Sequence, residues 1–65
     1  MTKSIPHLFA DLTARIEDLH GIAVEGQADN TPDMDRVLAS HLRMGIAAMD
    51  GIVGEIKNRL GDAHD

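Results

Sequence analysis

Apolar residues recur along this chain with helical spacing in two segments, separated by a short polar run. In the second segment, positions 34 to 60, Met34, Leu38, Leu42, Gly45, Ile46, Met49, Ile52, Val53, Ile56 and Leu60 fall within roughly 60° either side of Met49 on a helical wheel. Arg36, Ser40, Arg43, Asn58, Gly51 and Gly54 occupy the other side. The segment therefore predicts one long amphipathic helix with a wet side and a side that must be covered. In the first segment, Ile5, Phe9, Leu12, Ile16, Leu19 and Ala23 follow the alternating four-and-three spacing of a heptad seam, with Leu8 widening it on one flank.

Punctuation sets the boundaries. Pro6 suits the first turn of a helix, capped by Ser4 or Thr2. The first helix stops either near His20, where Leu19-His20-Gly21-Ile22 has the form of a glycine C-cap, or after Glu25, where Gly26 precedes the polar run Gln27-Ala28-Asp29-Asn30-Thr31; the second is preferred. Thr31 or Asn30 caps the second helix, Pro32 fills its first turn, and Asp33 and Asp35 place negative charge at its positive end. Lys57 and Arg59 suit the opposite pole, Gly61 stops the helix, and positions 61 to 65 are expected to fray. Gly51 and Gly54, with Ser40 and Ala47 on the same outer side, form a smooth strip that either bends the helix near Asp50-Gly51 or receives another element; the bend is preferred. Gly45, inside the apolar face, marks a close crossing of helices. The reading is all-α: one domain over 1 to 65, an antiparallel hairpin with helices at about 5–25 and 32–60 and a linker short enough to make them neighbours.

Length then changes the picture. A hairpin turning near Ala28 sets Pro6 opposite Gly51, so that Ile52, Val53, Ile56 and Leu60 overhang. Exposing four such groups forgoes roughly 1.5–3 kcal/mol each. A core of this size supplies no more than about 3–5 kcal/mol without staples, and with no cysteine among the 65 residues, disulfides and thiolate metal sites are excluded. A second copy resolves both difficulties: two hairpins pairing as a homodimer or larger oligomer make a four-helix bundle. The expected oligomer interface comprises Phe9, Leu12, Ile16, Leu19, Leu38, Leu42, Gly45, Met49, Ile52, Val53, Ile56 and Leu60.

Charge and composition narrow the partners. Eleven acidic against six basic residues give a formal charge of −5, which opposes a phosphate backbone, and a lone aromatic, Phe9, offers nothing on which bases stack. Nucleic acid is not an expected partner, and neither is a membrane, since no apolar run approaches a span and the start lacks the pattern of a signal peptide. The expected location is cytoplasmic.

Candidate chemistry is sparse. Glu17-Asp18-Leu19-His20 has the Glu-x-x-His spacing of di-iron bundles, but Ile16 and Leu19 hold the inward positions, Glu17 faces out, and Glu55 lies about two turns beyond that level. Ser40-His41-Leu42-Arg43 resembles a shortened phosphoacceptor box of sensor histidine kinases, whose dimerisation domains are paired helical hairpins; the resemblance implies phosphoryl transfer at His41. It covers four residues, lacks the acidic residue after the histidine and the proline after the arginine, and lies on the second helix of the hairpin. No nucleophile elbow or phosphate loop is present. The expectation is a homo-oligomeric interaction, scaffold or regulatory module with no catalytic activity and no cofactor, binding itself and a further protein. The competing expectation is a ligand, metal or phosphoryl carrier using His20, His41 and Glu17.

Overall fold

The computed structural model describes residues 3–61, and they form two helices packed as a hairpin: α1, Ile5–Gly26, and α2, Pro32–Leu60. The N-cap of α1 is Ser4, whose hydroxyl accepts from the His7 N–H, with Pro6 in the first turn. Thr31 caps α2 in the same way, accepting from the Met34 N–H at 3.2 Å, and Asp33 and Asp35 sit in its first turn. At the far end Lys57 and Arg59 occupy the last turn. Gly61 closes the helix in the left-handed region at φ 65°, its N–H reaching the Asn58 and Lys57 carbonyls.

The end of α1 differs from a glycine stop. The helix runs through Gly21 and Gly26, and Gln27 caps it in a right-handed conformation. Among the described residues only Gly61 has positive φ. The orphan carbonyl of Glu25 is instead satisfied by the N–H groups of Gln27 and Ala28 and by the Asn30 side-chain amide at 3.0 Å. Asn30 thus closes the turn from outside α1 and does not cap α2. The second helix is a single element through Asp50 and Gly51. The expected frayed tail, Asp62 to Asp65, lies outside the described residues.

Two close contacts fix how the helices meet. A side-chain carbon placed on Gly45 would fall on the Leu19 side chain, so α1 and α2 cross closely there because one partner has no side chain. Near the turn, Gly26 stands within 3.9 Å of Leu38 on the same measure. Successive levels therefore pair residues whose numbers total a little over sixty. That register corrects the expected overhang. Ile56, set beyond the end of α1 in the sequence reading, is only 6% exposed, and Ile52 is half-buried. Because α2 runs on past the end of α1 at the turn, α1 reaches further along α2 than a turn centred on Ala28 allows. Val53 and Leu60 remain exposed.

The seam of α1 is also rotated from its expected position. Leu8, placed on the flank by spacing, is buried at 4%, with Leu12, Leu19 and Ile22 half-buried beside it. Phe9 and Ile16, placed at the centre of the seam, are exposed. An apolar stripe wider than one helix contact has two edges, and spacing alone does not say which edge faces the neighbour. Among the described residues Leu8, Leu38 and Ile56 make up the buried core.

Candidate functional interface

The hairpin has two broad faces of different character. On one, Lys3, Asp11, Gly51, Ile52 and Glu55 line a shallow groove between the helices, continued toward the turn by Arg15, Asp18, Ile22, His41 and Met44. Lys3 Nζ donates to Asp11 Oδ2 at 2.7 Å, and that hydrogen bond, above all, holds the Asp11 carboxyl below its ordinary pKa. Charged side chains thus flank the groove on both sides.

The opposite face follows from the same helical geometry. Residues of α1 turned away from the groove past the Leu8-Leu12-Leu19 seam are Phe9, Ile16 and Ala23; those of α2 past Leu38 and Ile56 are Leu42, Ile46, Met49, Val53 and Leu60. Since the first set leaves the groove from one helix and the second set from the other, both lie on the same far side. Phe9 is 53% exposed, Ile46 59% and Leu60 66%, with Ile16 and Val53 also exposed. From position 39 to position 60 no charged residue interrupts this face. Asp50 and Lys57 border it on the outer edge of α2, His20 borders it on α1, and Asp35 ends it near the turn.

The twelve residues expected at an oligomer interface divide accordingly. Leu38 and Ile56 are buried inside the hairpin, and Leu12, Leu19, Leu42, Gly45, Met49 and Ile52 are half-buried along its seam. Phe9, Ile16, Val53 and Leu60 stand on the open apolar face. Ile46, assigned to the apolar stripe of α2 but not to the interface, joins them.

Glu17, His20 and His41 are brought to no common point. Glu17 and His20 lie on the outer side of α1, whereas His41 lines the groove on the charged face. Among the described residues, no three His, Asp or Glu side chains gather as a ligand set. No helix among them is long and apolar enough to cross a membrane. Comparison with family models, curated proteins and solved structures returned no match to this chain.

Proposed function

We propose that this chain is a homo-oligomeric interaction module whose working unit is two hairpins packed apolar face against apolar face as a four-helix bundle, and whose role is assembly and not catalysis. The observation that supports this reading is the contiguous apolar face of Phe9, Ile16, Ile46, Val53 and Leu60, left outside a hairpin that, among its described residues, buries only Leu8, Leu38 and Ile56. A contiguous face of this kind is a docking surface or an aggregation liability in a chain that must stay soluble.

Area argues for a second copy as its occupant. The chain exposes 5101 Å², whereas a compact monomer of 7.0 kDa exposes about 4,000 Å². The excess, roughly 1,000 Å², is close to the ~800 Å² that each partner contributes to a stable interface. A two-fold pair covers the same face on both copies, so one surface pattern solves the problem twice. The charged face, with Lys3, Asp11, Arg15, Asp18 and Glu55, then stays outside, where it is free to meet a further protein.

Sedimentation equilibrium across micromolar concentrations tests the reading. A dimer or larger closed oligomer is expected, with a melting temperature that rises with protein concentration because folding and association are one event. A compact, fully helical monomer whose melting is independent of concentration would overturn it; co-purification of a different polypeptide on the apolar face would assign that face to another partner.

A further inference from the structure

We draw no further inference here: the strongest candidate, the groove between the helices on the charged face, lined by Arg15, Asp18, Ile22, His41 and Met44, is an open surface whose acidic and basic side chains offset one another, and nothing in the structure shows what covers it.

Discussion

Both faces of this hairpin carry exposed apolar side chains, and they differ in what surrounds them. Met44, on the groove side, is 69% exposed, more than Phe9, Ile46 or Leu60 on the opposite side. Yet Met44 stands among Arg15, Asp18 and His41, whereas Ile46 shares its face with Leu42, Met49, Val53 and the Phe9–Ile16 edge of α1. Single exposed apolar residues are ordinary on protein surfaces; contiguity is what marks a surface meant to be covered. The difference teaches that fractional exposure, taken residue by residue, does not locate an interface. Its neighbours do.

The sharpest way to break that comparison is to charge each region in turn. Ile56→Asp puts a carboxylate in the dry centre of the hairpin and is expected to cost several kcal/mol, enough to unfold the chain whatever its assembly state; loss of the helical circular dichroism signal checks it. Ile46→Asp leaves the hairpin seam intact and strikes only the apolar face. It is expected to shift sedimentation toward monomer and to lower the melting temperature at a fixed concentration. Met44→Asp, a like change at a more exposed site, is expected to stay within about 0.5 kcal/mol of the parent. Equal behaviour of the Ile46 and Met44 variants would remove the distinction between the faces.

Much of this was legible in the sequence, because helix existence and helix ends are local matters. Ser4, Thr31 and Gly61 terminate helices through their own side chains or backbone freedom, and Pro6, Pro32, Asp33, Lys57 and Arg59 act within a turn of where they stand. Long-range register is not a local matter. The depth of α1 along α2 depends on how the Gln27–Asn30 turn folds, and spacing carries no information about an asparagine amide reaching back to Glu25. The same ignorance put Ile56 beyond the end of α1. Of the candidate interface, the choice of apolar residues was visible but its division into an inner seam and an outer face was not, since both edges of a wide stripe have the same period.

Two glycines of α2 sharpen the comparison at smaller scale. Gly51 has open space where a side chain would go, so Gly51→Ala is expected to stabilise by up to about 1 kcal/mol through helix propensity alone. At Gly45 the same methyl meets Leu19, and several atoms of that side chain lie too close for a single rotation to clear them. Forcing extra volume into a packed contact costs about 1–3 kcal/mol, more than propensity returns. The two alanine variants are therefore expected to move the melting temperature in opposite directions. If Gly45→Ala were as stable as Gly51→Ala, the close crossing of α1 and α2 would not hold, nor would the levels drawn from it.

The smallest expected effect concerns the charged face. The hydrogen bond from Lys3 lowers the Asp11 pKa below its ordinary value of 3.8, with Lys3, His7 and Arg15 adding favourable charge and partial desolvation opposing them. A carboxylate whose folded pKa is depressed binds fewer protons folded than unfolded. Its contribution to stability is thus fully present above the unfolded value and is lost as pH falls through the folded one. The pair is exposed to solvent and screened by salt, so the contribution is small. Lys3→Met or Asp11→Asn is expected to flatten the loss of stability between neutral pH and the acid limb slightly, by the same amount in either variant and not additively in the double variant. Neither change is expected to alter oligomeric state, because the pair lies on the groove face, opposite the apolar face proposed for pairing. Thermal melts at neutral pH and near pH 3, with sedimentation on the same samples, check both parts; dissociation of the Asp11→Asn variant at neutral pH would mean that the groove face, and not the Ile46 face, is where the copies meet.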